Sequence, residues 1–579
     1  MSWLLRTAAL GLLALGGCAA RPEPPVAAAA PLPVEVQVLA INDFHGNLEP
    51  PRISVEAGTA EAPLKVPAGG VAHLAAAAKT LRTGQKYSVT VSAGDMIGGT
   101  PLPSALFLDE PAIRAMEEVG VEYNAVGNHE FDKGTAELLR MQRGGCEKHT
   151  TKQPCRLERF DGARFAFLAA NVLTGDGRTL FPGTAIKDFG PVQIGIIGMT
   201  LKETATLVAP GGVAGVRFAD EAATANAAVP ALKAAGADAI MVLIHQGVRT
   251  KGNYNDKSCP QLSGDLLPII DRLDPAVDLV VSGHTHEAYV CELPRAGRRP
   301  LLLTSAGRFG TLITDIRLRF AADGTLVGHS ADNVIVQGEG YSAGGTIVPK
   351  VASLPSFAAD PAAQAIVDRY VAAAAPEAAR VVGRLAGAVT RKENADREQT
   401  AGNLIADAQL AAGRVHGAEI AFINSGGIRT DLIPAQDGSV TYGQIFAMQP
   451  FGNSLVVKTL TGAQLKALLE QQFASGTNTA EKPNMLLTSA GFFFAYDLAR
   501  PAGERIVAMR LGGRPVQPGA RYRVVVNNFM ASGGDNFTVL TGGTEASDAG
   551  LDLDALEALL KRGARVPALG RIENRTAGR

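Results

Sequence analysis

Seven side chains of metal-ligating type stand at or just past the ends of apolar runs. They are Asp43 and His45 after "VQVLAIN", Asp95 after "VTVSAG", Asn128 after "NAVG", His245 ending "MVLIH", and His284 and His286 after "LVVSG". Carboxylates, imidazoles and an amide in this number exceed one tetrahedral ion and suit two divalent ions sharing a carboxylate, for which Asp95 is the candidate. Such a pair, about 3.5 to 4 Å apart, lowers the pKa of a shared water and clamps the oxygens of an in-line phosphoryl displacement. The mixed donor set favours Zn, Mn, Co or Fe over Mg or Ca.

Buried strands are what must bring these residues together. From Val34 onward the chain repeats short β-branched runs, among them "YSVTVSAGD", "VQIGIIGMT", "DAIMVLIHQG", "VDLVVSGHTH" and "RPLLLTSAG". Helix-like stretches such as "PAIRAMEEVG" and "ADEAATANAAVPALKAAG" separate several of them. This is the pattern of an α/β layered domain with both sheet faces covered. In open α/β sheets the loops at the carboxyl ends of strands converge on the ligand crevice, so residues spread from 43 to 286 meet.

The chain has 579 residues, too many for one core, so two or more domains are expected. With 46% hydrophobic residues, 19% charged ones and a net charge of −1, it is ordinary globular material. Nothing in that balance suggests nucleic-acid binding. Residues 1–18, "MSWLLRTAALGLLALGGC", read as a secretory signal too short to span a membrane. Their ending "LGGC" resembles a bacterial lipobox, which implies lipid on Cys18, a Pro/Ala tether over 19–33 and outer-membrane sorting; an ordinary cleaved signal is the alternative. Cys146 with Cys155, and Cys259 with Cys291, fit two local disulfides in an oxidising compartment, against the alternative of a zinc-thiolate site.

"NDFHGN", "SAGDMIGGT", "VGNHEFD", "IHQG" and "GHTH", in this order, resemble the calcineurin-like metallophosphoesterases, in the wording of their bacterial 5'-nucleotidase branch. The resemblance implies a four-layer α/β/β/α domain over 34–345, a linker and connecting helix over 346–380, and a smaller α+β substrate-binding domain over 381–575. It places one ion on Asp43, His45, Asp95 and His286 and the other on Asp95, Asn128, His245 and His284. His129 resembles the family's catalytic histidine, oriented by Asp132; a pair that only caps its own backbone is the bland reading.

The likeness continues through "REQTAGNLIADA", "INSGGIRTDL", "QPFGN" and "NNFMASGGDNF". It implies Asn424 and Arg429 as phosphate donors, Phe451 and Phe529 as faces that sandwich a base, Asn453 as a base contact and Asp535 as the ribose acceptor. Arg391 and Arg397 stand near the family's further arginines, but Arg397 is displaced by two residues and Ala395 occupies one expected position. The implied function is an exported, lipid-anchored enzyme releasing phosphate from nucleoside 5'-monophosphates, with diphosphates and UDP-sugars as further substrates. A 2',3'-cyclic nucleotide phosphodiesterase with 3'-nucleotidase activity, and a non-catalytic nucleotide-binding surface protein, are the competing readings. His73, His149, His329 and His416, and the run "GFFFAYD", read as packing or surface residues.

Overall fold

The computed structural model describes residues 33–58, 62–208, 211–343 and 346–576, so Cys18, the leader and tether residues 19–32 lie outside the described part. Twelve strands of the amino-terminal domain matter here: β1 (Val34–Ile41), β2 (Ser88–Ser92), β3 (Tyr123–Ala125), β4 (Ala166–Leu168), β5 (Thr184–Asp188), β6 (Gln193–Thr200), β7 (Ala239–His245), β8 (Leu279–Ser282), β9 (Ala288–Leu293), β10 (Leu301–Ala306), β11 (Leu312–Phe320) and β12 (Leu326–Ile335). They form two six-stranded sheets, ordered β12-β11-β1-β2-β3-β4 and β9-β10-β8-β7-β6-β5. The central pairings β1 with β2, β2 with β3, β6 with β7 and β7 with β8 are parallel, which turns their carboxyl ends the same way within each sheet.

The continuous apolar runs exist because every central strand is covered twice. Val36, Val38, Val89 and Val91 from one sheet pack against Ile194, Ile196, Met241 and Leu243 from the other. The outer face of the first sheet, with Leu39 and Ile41, is closed by the helices Val71–Arg82 and Glu110–Val119. Ile197, Val242 and Ile244 turn the second sheet's outer face toward the helix Glu221–Ala234. The α/β/β/α layering is therefore present as expected.

A long helix, Pro361–Ala379, follows, capped by Asp360, whose side chain accepts from the backbone of Ala362 and Ala363. Its Ala363, Val367, Tyr370 and Ala374 fall on one stripe and join the core of the amino-terminal domain. The connecting helix is thus a packed part of that domain. The chain crosses over only at its end, where Val381–Arg384 already pairs with Ser439–Thr441.

The second domain holds a five-stranded sheet, β15-β13-β16-β14-β17, formed by β13 (Ile420–Asn424), β14 (Ser454–Thr461), β15 (Leu486–Thr488), β16 (Arg521–Asn527) and β17 (Thr544–Leu551). A four-stranded sheet beside it contains Phe492–Tyr496, with Phe492 and Phe494 buried and Phe493 less so. The phenylalanine run is a core strand, as its composition predicts. His73 is buried on its helix against the Phe357 carbonyl, and His329 lies in β12, not in a loop. Both expected disulfides are formed, Cys146–Cys155 and Cys259–Cys291. No helix among the described residues is long and apolar enough to cross a membrane.

Candidate metal centre and substrate cleft

The loops leaving β1, β2 and β8 are held in conformations that L-residues avoid. Asp43, His45, Asp95, His284 and His286 all have positive φ, between 47° and 69°. Each such residue costs about 1–2 kcal/mol relative to the right-handed region, and strain of this kind persists where surrounding contacts over-determine it. Two glycines make room for the loops. A Cβ on Gly94 (φ +90) would sit 2.7 Å from His245 Nδ1, and one on Gly98 (φ +81) 2.2 Å from the His129 carbonyl.

The structure brings all seven ligand candidates together, and Asp43, His45, Asp95, Asn128 and His245 are buried. His45 Nε2 lies 3.1 Å from His286 Nε2 and 3.6 Å from Asp95 Oδ2. His286 Nε2 lies 3.3 Å from Asp43 Oδ1. On the other side, His245 Nε2 lies 3.0 Å from Asp95 Oδ2, and His284 Nδ1 lies 3.1 Å from Asn128 Oδ1. Asp43 belongs to both groupings of candidate donors, with His45 and His286 and with Asp95 and His245. Sequence reasoning placed it in one.

Tautomers test whether these donors fit a cation. His45 Nδ1 faces the Gly98 carbonyl at 2.8 Å, and His245 Nδ1 faces the Ala93 carbonyl at 2.7 Å. A nitrogen facing a carbonyl must donate, so in each neutral ring Nε2 presents its lone pair to the cluster. Lone pairs then point at carboxylates, which repel them unless a proton or a cation lies between. The buried His245 Nε2 has no properly oriented hydrogen-bond partner despite its closeness to Asp95. Burial first, and neighbouring positive charge next, push His284 down to about 3; burial also holds His45 well below the ordinary value, keeping both in the ligand form. Burial opposes charge on His245 too, but Asp95 overrides it and raises the ring to about 10. The donor set fits divalent metal.

His129 and Asp132 meet as expected, Nδ1 to Oδ2 at 2.8 Å, and the His129 backbone donates to Asp95 Oδ1 at 2.9 Å. Burial opposes the imidazolium, but Asp132 and then Asp95 outweigh it and raise the pKa, so the protonated ring persists to higher pH. Glu130, between them, was missed by sequence reasoning. Its buried carboxylate accepts from the backbone of Asp95 (3.0 Å), Met96 (2.9 Å) and Gly127 (2.8 Å), which ties the β2 and β3 loops together. Burial and the charge of Asp95 push it up to about 8, against the pull of those N–H groups.

From this centre a cleft of about 290 Å³ runs between the domains. The amino-terminal domain contributes Asn128, His129, Asp132 and His284, and the second domain Asn424, Arg429, Phe451, Asn453, Phe529 and Asp535. Asn424 Nδ2 donates to Asp535 Oδ2 at 2.7 Å, and the Phe451 ring stacks on His129 at 5.8 Å and 15°. Leu207 and Val208 form an apolar edge that sequence reasoning did not find. Arg391 lines a neighbouring cleft of about 640 Å³ with Arg429 and His286. Arg397 lines neither cleft; it sits with φ 60° in the turn where its N–H bonds to the Asn394 carbonyl. The two-residue displacement carries it away from the opening.

The family described as calcineurin-like phosphoesterase matches residues 36–288, and that described as 5'-nucleotidase, C-terminal domain, matches residues 381–542. The 5'-nucleotidase of Bos taurus is 26% identical over 94% of this chain and 90% of its own length. The endonuclease YhcR of Bacillus subtilis is 30% identical over 86% of this chain, which spans only 37% of that relative. The crystal structure of a 5'-nucleotidase precursor from Thermus thermophilus superposes with a TM-score of 0.73 at 28% identity, covering 94% of this chain and 100% of the other.

Proposed function

The chain belongs to the calcineurin-like phosphoesterases that carry a 5'-nucleotidase C-terminal domain, and from that premise we propose that it releases phosphate from nucleoside 5'-monophosphates. The observation that carries this reading is the cleft of about 290 Å³ in which His129 faces Phe451, Phe529 and Asp535 across the domain boundary. It joins a place for phosphate to a place for a base. Diphosphates and UDP-sugars extend the same substrate class.

Asp43, His45, Asp95 and His286 would hold one divalent ion, and Asp95, Asn128, His245 and His284 a second. When bound, the two ions would supply Lewis-acid charge and would lower the pKa of the attacking water. Arg429 binds the phosphoryl oxygens through its planar fork, with Asn424 as a neutral donor. His129, held by Asp132, delivers a proton toward the leaving ribose oxygen or supports charge on the phosphoryl group. Phe451 and Phe529 stack the base, Asn453 contacts its edge, and Asp535 accepts from the ribose hydroxyls.

The cleft walls belong to different domains, so substrate entry and release involve rotation about the crossover after Ala379. The proposal includes export, with Cys18 as a lipid attachment point at the periplasmic face of the outer membrane. The paired cysteines, which need an oxidising compartment, support export.

Phosphate release with manganese or zinc, compared across AMP, 3'-AMP, 2',3'-cyclic AMP, a UDP-sugar and an aryl phosphate, tests the reading. Preference for AMP is the expected result. Preference for the cyclic or 3' substrate would move the function to a cyclic phosphodiesterase, and no turnover would leave a nucleotide-binding protein. Phe451→Ala is expected to raise KM for AMP roughly 5- to 150-fold, since one base stack contributes about 1–3 kcal/mol. Its KM for an aryl phosphate should stay near that of the parent; equal rises for both substrates would remove the base-stacking role.

A further inference from the structure

Three guanidinium groups that make no ion pair among the described residues gather at the mouth of the metal centre. Arg391 and Arg429 come from the second domain, and Arg308 comes from the turn after β10 in the first. Arg308 lines a cleft of about 990 Å³ with His129, His286 and Arg429, and it also lines the cleft of about 640 Å³ with Arg391 and Arg429. Among the described residues the side chain of Arg308 makes no ion pair. Glu287, whose negative charge reaches it, is engaged with Arg249 at 2.8 Å. Among the described residues the Arg391 guanidinium donates only to the Arg429 carbonyl, at 3.1 Å. Burial first, and the charge of Arg391 next, lower the pKa of both Arg308 and Arg429. Like charges gathered in one cleft, with no ion pair of their own among the described residues, are an unfavourable arrangement that an anion relieves.

The position of Arg308 is fixed by the metal centre itself. Its guanidinium lies over the ring of Phe309 at 5.1 Å. The Phe309 backbone N–H donates to the Asp43 carbonyl at 2.7 Å, and its ring meets His45 at 5.9 Å and His286 at 5.7 Å. The Arg308 carbonyl accepts from Thr311 N–H at 3.0 Å and Thr311 Oγ1 at 2.7 Å. An arginine tied to the ligand loops at this many points, yet left with its charge unpaired, is placed to meet what binds between the ions and the second domain.

We propose that Arg308 is a specificity-determining residue that binds nonbridging oxygens of the terminal phosphoryl group together with Arg391 and Arg429, favouring dianionic phosphate monoesters over monoanionic diesters. A diester lacks the second charge that a third guanidinium rewards. The inference rests on the phosphohydrolase part of the proposed function and not on its nucleotide part.

The test compares the parent enzyme with Arg308→Gln and Arg308→Lys on p-nitrophenyl phosphate, bis(p-nitrophenyl) phosphate and AMP, with inhibition by inorganic phosphate measured alongside. Bound metal and melting temperature serve as controls. Arg308→Gln is expected to lower kcat/KM for both monoesters on the order of 10- to 100-fold, the worth of a lost charge-assisted contact. It should raise the phosphate inhibition constant similarly and change the diester by less than about threefold, on the same scale of contact energies. Arg308→Lys should recover part of the loss, since it keeps charge but not the fork. Equal losses on monoester and diester, or an unchanged phosphate inhibition constant, would overturn the proposal. If the diester is turned over too slowly to follow, the phosphate constant alone decides. A parent enzyme that prefers the aryl ester to AMP would remove the nucleotide reading while leaving the Arg308 comparison intact. If no ester is turned over, calorimetry of inorganic phosphate binding decides: weaker binding by Arg308→Gln supports the proposal, and equal binding overturns it.

Discussion

Asp95→Ala is expected to lower kcat by at least the roughly 100- to 1000-fold that loss of a single transition-state contact costs, and to leave at most one tightly held metal equivalent per chain. The Asp95 carboxylate reaches three parts of the centre. One oxygen lies 3.0 Å from His245 Nε2 and 3.6 Å from His45 Nε2, one imidazole from each proposed ion site, while the other accepts from the His129 backbone at 2.9 Å. Removing it separates the two proposed sites and frees the backbone that carries the His129 imidazole. Asp95→Asn keeps the shape and the acceptor toward His129 but loses the charge that would offset the two proposed ions, so it should fall nearly as far. Metal content after dialysis, read with turnover and a melting curve, separates loss of the bridge from loss of the fold. Two retained equivalents with near-normal turnover would end the shared-carboxylate assignment.

The strands were readable because burial on both faces writes continuous apolar runs, and the ligand candidates because each stands where such a run stops. Asp43, Asp95 and His284 all sit two or three residues beyond a strand end. What stayed hidden has physical reasons. Glu130 reads as one more loop acid, and only the folded backbone reveals three N–H groups converging on its carboxylate. Arg308, in "SAGRFG", is a lone arginine whose meaning comes from two arginines in another domain. Leu207 and Val208 line the interdomain cleft from a segment with no motif. The hairpin Ile53–Gly58 with Pro63–Ala68 borders the opening of about 990 Å³, yet its alternation is too short and too interrupted to stand out. Arg397 shows the converse. Its place in the motif pointed to the cleft, and a tight turn took it elsewhere.

His129→Ala separates the two tasks left open for the imidazole. With Nδ1 committed to Asp132 at 2.8 Å, Nε2 is the atom left for the cleft, and the ring stacks on Phe451 at 5.8 Å where substrate would enter. The ribose alkoxide of AMP is a poor leaving group that needs a proton as its bond to phosphorus breaks, whereas p-nitrophenolate leaves unaided. If His129 supplies that proton, the variant should lose on the order of 100- to 10,000-fold on AMP and no more than about tenfold on p-nitrophenyl phosphate, with metal content unchanged. Matching losses on both esters would instead assign His129 to charge on the phosphoryl oxygens, a need that does not depend on the leaving group. The two roles also differ in pH. Burial opposes protonation, but Asp132 and Asp95 raise the pKa, so the imidazolium is present below that raised value and is lost as pH rises through it. Asp132→Asn lowers the value, and the alkaline fall in kcat/KM for AMP should move to lower pH. Because a nitrophenolate needs no proton, its alkaline limb should not follow.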